Sequence, residues 1–289
     1  MSYFIKKQKG FTIIEILVVI VLCTIILMAA SGLYLASSKI FRETRPISDV
    51  LEEMRSAIAT LDFVFSRWGT GVPCKNNSCN IGNIITICDD YPPSNPLCMK
   101  YNSGDFSSGC NDIEFYANLE GYGFVVSVNE NQANLISCRL STDRNDNYYY
   151  IWEGDKLVNY NGTGNPTIYQ LSGLNPNNQD CVNFTGVSNA LSNAIIGTYT
   201  LQPGNIITRV PYRVRLYISY DSDDKGYWLY MKKIDMATNE EKMGKKIAKL
   251  KDSKSFKVYT QGQTIKVEIE FQSQSEPEKT LKIIRYFSR

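Results

Sequence analysis

The chain has no histidine in 289 residues. That absence removes Ser-His-Asp and Cys-His catalysis, imidazole metal ligation and imidazole pH switching together. An excess of one charge is missing too: 31 Lys and Arg against 29 Asp and Glu give a formal +2. No overall basic field is offered to nucleic acid at that balance. GxxxxGK[ST], GxSxG and CxxC motifs are absent, as are internal repeats and low-complexity linkers. Neither an enzyme nor a cofactor is expected. The composition, 43% hydrophobic and 21% charged, supports a folded core and excludes disorder throughout. The length suits one large or two ordinary domains.

Long apolar runs are scarce as well, with one exception. Phe11 to Ala30 reads FTIIEILVVIVLCTIILMAA, apolar at 17 of 20 positions. As a helix it spans about 30 Å, the thickness of the hydrocarbon layer. Lys6, Lys7 and Lys9 precede it, and no comparable cluster follows closely. The positive-inside rule therefore places 1–10 in the cytoplasm and the bulk of the chain outside. The run is longer than the 7–15 apolar residues of a secretory signal peptide. A simple anchor explains its length but not Glu15, because a carboxylate inside lipid costs on the order of 2.5–3.5 kcal/mol at mid-helix and less near an end.

Lys9-Gly10-Phe11-Thr12-Ile13-Ile14-Glu15 followed by the apolar run resembles the class III leader of type IV prepilins and type II secretion pseudopilins. The resemblance implies that a membrane prepilin peptidase cuts after Gly10 and N-methylates Phe11, the new N-terminus. It makes Glu15 the assembly carboxylate. Its further implications are partnership with other pilins or minor pilins, an inner-membrane assembly platform and membrane lipid. The chain would leave the inner membrane for an extracytoplasmic filament. In that family the subunit at the extreme tip often lacks the glutamate, so Glu15 implies a place beneath another subunit. Physics supplies a role for Glu15 as well. It lies about 6 Å along the axis from the amine that cleavage creates, and pairing the two charges greatly reduces the cost of holding either away from water. Loss of the three leader lysines turns the formal charge from +2 to −1.

Beyond the run, Ile47, Val50, Leu51, Met54, Ile58, Leu61, Phe65 and Trp68 recur at helical spacing, and the pattern fades at Gly69-Thr70-Gly71-Val72-Pro73. Gly32 and Pro46 are candidate bends, and Asp49 with Glu52 resembles a capping box restarting the helix. The expected layout is a leader over 1–10, a kinked transmembrane and stalk helix over 11–68, and an extracytoplasmic β-rich head over 69–289. The fold class is α+β, pilin-like, with the helix packed on an antiparallel sheet. Expected strands are 83–87, 112–116, 123–128, 135–140, 148–152, 212–220, 227–234, 256–260, 264–272 and 280–287. Period-two alternation is cleanest over 212–220 and 264–272. A stalk ending at Leu61–Trp68, then glycine and Cys74, is also similar to the larger minor pilins of the PilW-like group and to pseudopilins of the J type.

Seven of the eight cysteines follow residue 70, which suits disulfides outside the cytosol. Cys74–Cys79 and Cys88–Cys98 bracket turn sequences and can close as local loops; Cys110 with Cys138 or Cys181 is a third pair, leaving one thiol over. Cys23, inside the apolar run, reads as a small hydrophobe. Tyr148-Tyr149-Tyr150 with Trp152 is a candidate adhesive patch, although tyrosine is equally favoured in strands. Asp221-x-Asp223-x-Lys225-Gly226 has lysine where a calcium loop needs oxygen, and 143–147 lacks the following glycine. Solvated loops explain both, and no metal is expected.

Overall fold

A computed structural model of the chain describes residues 12–75, 95–130, 132–138, 148–171, 188–191, 194–261, 264–273 and 278–288. One helix, α1 (Ile13–Ser66), runs for 54 residues, or about 80 Å. Helical backbone continues through both Gly32 and Pro46. The Asp49/Glu52 spacing therefore marks no restart, which corrects the expected second N-terminus. Both positions lie in the middle of one continuous helix.

Up to Thr44 nearly every residue of α1 is exposed; from Val50 one face is buried. Ala57, Leu61, Val64 and Phe65 recur three or four apart and lie in the core. Trp68 extends that face past the helix, forming a bridge with Ala117. The helix stops because Gly69 must take φ +72. Its N–H donates to the Tyr116 carbonyl at 2.7 Å, and a Cβ there would stand 2.5 Å from the Pro96 carbonyl oxygen. Glycine is the residue that meets both demands.

The strands in chain order begin with β1 (Met99–Ser103), β2 (Asp112–Ala117), β3 (Tyr122–Asn129), β4 (Gln132–Cys138), β5 (Tyr148–Glu153) and β6 (Lys156–Leu157). Next come β7 (Tyr169–Gln170), β8 (Ser188–Leu191), β9 (Ile195–Ile196), β10 (Tyr199–Thr200), β11 (Ile206–Arg209) and β12 (Tyr212–Asp221). The last five are β13 (Gly226–Asp235), β14 (Glu241–Leu250), β15 (Phe256–Gln261), β16 (Thr264–Gln272) and β17 (Thr280–Ser288). The expected strand 83–87 lies outside the described residues.

Eight strands form the stalk-side sheet, in the order β1-β2-β12-β13-β14-β16-β15, with β17 paired to the free side of β16. Every strand pairing among the described residues is antiparallel. Val214 and Leu216 on β12 and Ile265, Val267, Ile269 and Phe271 on β16 turn inward against α1. Phe65 stacks on Phe115 and Phe287, with ring centroids 5.4 and 4.8 Å away. Burying each such side chain stabilises by roughly 1.5–3 kcal/mol, so this sheet is the cover that the amphipathic half of α1 requires. A second sheet, β6-β5-β11-β3-β4-β8 with β7 on β5, builds its own core from Val125, Leu135, Tyr149, Ile151 and Ile207. The chain leaves the first sheet for the second between β2 and β3 and returns through Val210-Pro211, between β11 and β12. There Arg209 of the second sheet meets Asp235 of the first at 3.5 Å, both buried.

Candidate functional site

The start of α1 carries the chemistry. Thr12 is the N-cap, with extended backbone at φ −78 and ψ 150. Its hydroxyl accepts from the Glu15 N–H at 3.3 Å. Glu15 Oε2 in turn accepts from the Thr12 N–H at 2.9 Å and the Thr12 hydroxyl at 3.0 Å. This is a reciprocal capping box, which satisfies helix-end donors that have no partner within the helix. The carboxylate also sits at the positive end of the helix dipole. Thr12 was not singled out from the sequence, yet the signal is there: Thr-x-x-Glu immediately before an apolar run is a capping-box pattern. Gly10 and Phe11 lie outside the described residues, so their processing stays an expectation.

Around this cap the helix offers lipid-compatible surface on every side. Apart from Glu15, Ile13 through Leu22, Ile25 to Met28, Leu33 and Leu35 are all exposed apolar residues. Among the described residues α1 is the one helix long and apolar enough to cross a membrane, by length and composition.

The cysteines divide. Cys74 and Cys98 each sit in a disulfide. Cys79, Cys88 and Cys181, and the Cys138 side chain, lie outside the described residues, so the pairing of Cys74 with Cys79 and Cys88 with Cys98 remains a proposal. Cys110 corrects the expected third pair: it is a free, fully buried thiol. It belongs to the stalk-side core, bridged through its backbone to Val258 on β15, whereas Cys138 ends β4 in the other sheet. Burial, helped by the Asp105 charge, pushes its thiol up to about 12. Cys23 is free and exposed on the apolar helix. Cys110 should resist maleimide at pH 8 in the native chain and react in urea, with at least tenfold slower labelling when folded, read by peptide mass spectrometry. Labelling at the unfolded rate would remove it from the core.

The tyrosine run is not an adhesive surface. Tyr149 and Tyr150 are fully buried, one in the core of the second sheet and one against Leu157 and Val210; Tyr148 and Trp152 are half-buried. A strand alternates its faces, and both faces of β5 are covered here. The exposed aromatics lie two strands away. Tyr122, Phe124 and Val126 of β3 are 38, 39 and 52% exposed. Phe124 is in register with Ile206 and Ile136, and Ile206 with Trp152, so an apolar row crosses four strands.

On the outer face of the stalk-side sheet several charges are paired. Arg215 donates Nε and Nη2 to the two Asp112 oxygens at 2.9 and 2.6 Å. In the 221–226 loop, Asp221 receives Lys246 Nζ at 2.7 Å and the Tyr230 hydroxyl at 2.8 Å, while Lys246 also reaches Asp224. The lysine ammonium holds the Asp221 carboxyl well below its usual range. A cation from the chain itself therefore occupies this loop. Asp143–Asn147 lies outside the described residues.

Residues 5–31 match the prokaryotic N-terminal methylation motif. Taken with the exposed apolar helix and the β-rich head, this makes the chain a type IV prepilin-like protein, structural rather than enzymatic. It belongs to one family with an uncharacterized protein of Aquifex aeolicus (strain VF5), to which it is 32% identical over 234 residues, covering 81% of this chain and 79% of that one. No solved structure matches it. The motif implies processing by a prepilin peptidase and assembly with other pilins.

Proposed function

We propose that the chain is a minor pilin, a structural subunit that enters a type IV pilus or related filament or primes its assembly. The supporting observation is the methylation motif joined to some thirty residues of exposed apolar helix ahead of the head. In this reading the prepilin peptidase removes 1–10 on the cytoplasmic side of the inner membrane and methylates Phe11. The stalk then waits in lipid, with the head over 69–289 outside, until the assembly platform extracts it. A type II secretion pseudopilin would use the same parts in a different machine.

The test is N-terminal mass spectrometry of the chain from cells that possess the peptidase. Wild type is expected to begin at N-methylated Phe11, and Gly10→Val to retain the ten leader residues. An unprocessed wild-type chain would leave a permanently anchored protein as the better account.

A filament-borne binding module is favoured by one observation, the exposed row of Tyr122, Phe124 and Val126. Roughly 220 residues beyond the stalk exceed what packing in a thin filament requires.

A further inference from the structure

Between α1 and the β13–β14 pair lies a groove of about 610 Å³. Ala59, Phe63 and Met231 contribute its apolar lining, and Lys233, Lys242 and Lys245 stand along the sheet side. The three lysines share that side through a register break. Lys245 pairs with Met231 and Lys242 with Lys233, so Met243 and Gly244 together oppose the single residue Lys232. In a regular strand residues three apart point to opposite faces; this bulge brings Lys242 and Lys245 to the same one. Bulges re-aim side chains in this way. Lys233 and Lys242 stand face to face across the strands, and each stands 5.7 Å from the Tyr212 ring centroid. Lys245 is exposed and makes no hydrogen bond or ion pair among the described residues.

We propose that this groove receives an acidic amphipathic segment of an adjacent pilin subunit, an apolar side chain entering between α1 and the sheet while a flanking carboxylate meets Lys245. The inference rests on the filament reading above. Charge complementarity selects the occupant. Residues 211–289 hold seventeen Lys and Arg against eleven Asp and Glu, whereas 11–210 hold eleven against eighteen. The chain's own stalk exposes the matching chemistry, with Glu43, Ile47, Leu51 and Glu52 on its surface. Anionic lipid is out of reach, because Ala59 stands about 40 Å along the helix from the end of the lipid-length run. A nucleic acid backbone would not use the apolar lining.

The experiment places a photoreactive residue at Thr60, on the helix side of the groove, in the full chain expressed in its host. Adducts in sheared filaments are mapped by mass spectrometry. Wild type is expected to crosslink to a net-acidic segment of a second pilin subunit. Lys245→Glu should lower that yield at least tenfold and Lys245→Arg should retain it, with thermal melting unchanged in both; Lys245→Ala stands in if the glutamate variant melts early. An adduct to a basic segment or to nucleic acid, no adduct, or a yield indifferent to the charge at 245 would overturn the inference alone. Absence of the wild-type chain from filaments would overturn the filament reading, and this inference with it.

Discussion

Asp235→Ala is expected to lower the melting temperature of the head by on the order of 10 °C. Asp235 and Arg209 are 2 and 3% exposed, and they join the two sheets at 3.5 Å. Arg209 comes from the last residue of β11 and Asp235 from the last of β13. The other carboxylate oxygen of Asp235 accepts the Ala237 N–H at 2.9 Å, fixing the turn that leads into β14. The guanidinium stands 5.4 Å from the Tyr212 ring centroid. The Tyr212 hydroxyl, raised above its ordinary pKa first by burial and then by the Glu120 charge, donates to Glu120 at 3.1 Å. Removing the carboxylate breaks this buried ion pair, a change that costs about 3–5 kcal/mol. A domain of this size has about 5–15 kcal/mol in total. Arg209→Met with Asp235→Leu should recover most of the loss, since apolar replacement of both partners of a buried pair is often neutral. Melting of the purified chain in detergent, followed by circular dichroism, reads the difference. A single variant within about 1 °C of wild type would show that the pair does not hold the sheets together.

That junction was not readable from the sequence, and the reason is topological. Period-two alternation was plain over 212–220 and 264–272, because those strands cover α1 with one face and meet water with the other. β14 escaped notice. Its sequence EKMGKKIAKL has lysines at both parities, since the bulge opposite Lys232 breaks the alternation that would have revealed it. Partners on neighbouring strands stabilise it: Lys246 lies 5.0 Å from the Trp228 ring centroid and binds Asp221. β11 is only four residues long, too short to stand out, yet it lies between β5 and β3 and completes the second sheet. The tyrosine run shows the same limit from the other side. Its strand was legible, but its exposure depended on Leu157, Val210, Met236 and Ala237, which arrive from three separate parts of the chain. What needed no tertiary context was the N-terminus, where a lysine cluster, a glycine, a carboxylate and an apolar run are all local.

Glu15→Gln should leave membrane insertion and cleavage intact yet reduce entry into filaments by at least about 100-fold. Glutamine can still return a side-chain oxygen to the Thr12 N–H, as in other capping boxes, but it carries no charge to meet an amine. The two roles of Glu15 therefore separate. Loss of a cap costs about 0.5–2 kcal/mol. Loss of the carboxylate that pairs with an amine in lipid costs about 3–5 kcal/mol, and each 1.4 kcal/mol is about tenfold in an equilibrium. The cap geometry favours this division, because Thr12 donors already satisfy the carboxylate in the isolated chain. A neighbour's amine would then dock on a carboxylate already oriented toward the helix end. Glu15→Ala loses both roles and should fall at least as far as Glu15→Gln. The measurement is the ratio of this subunit in sheared filaments to that in membranes, with N-terminal processing confirmed for each variant. A glutamine variant that enters like wild type while the alanine variant fails would assign Glu15 to capping rather than to register. Equal entry by all three would dissociate Glu15 from assembly and reopen the filament apex to this subunit.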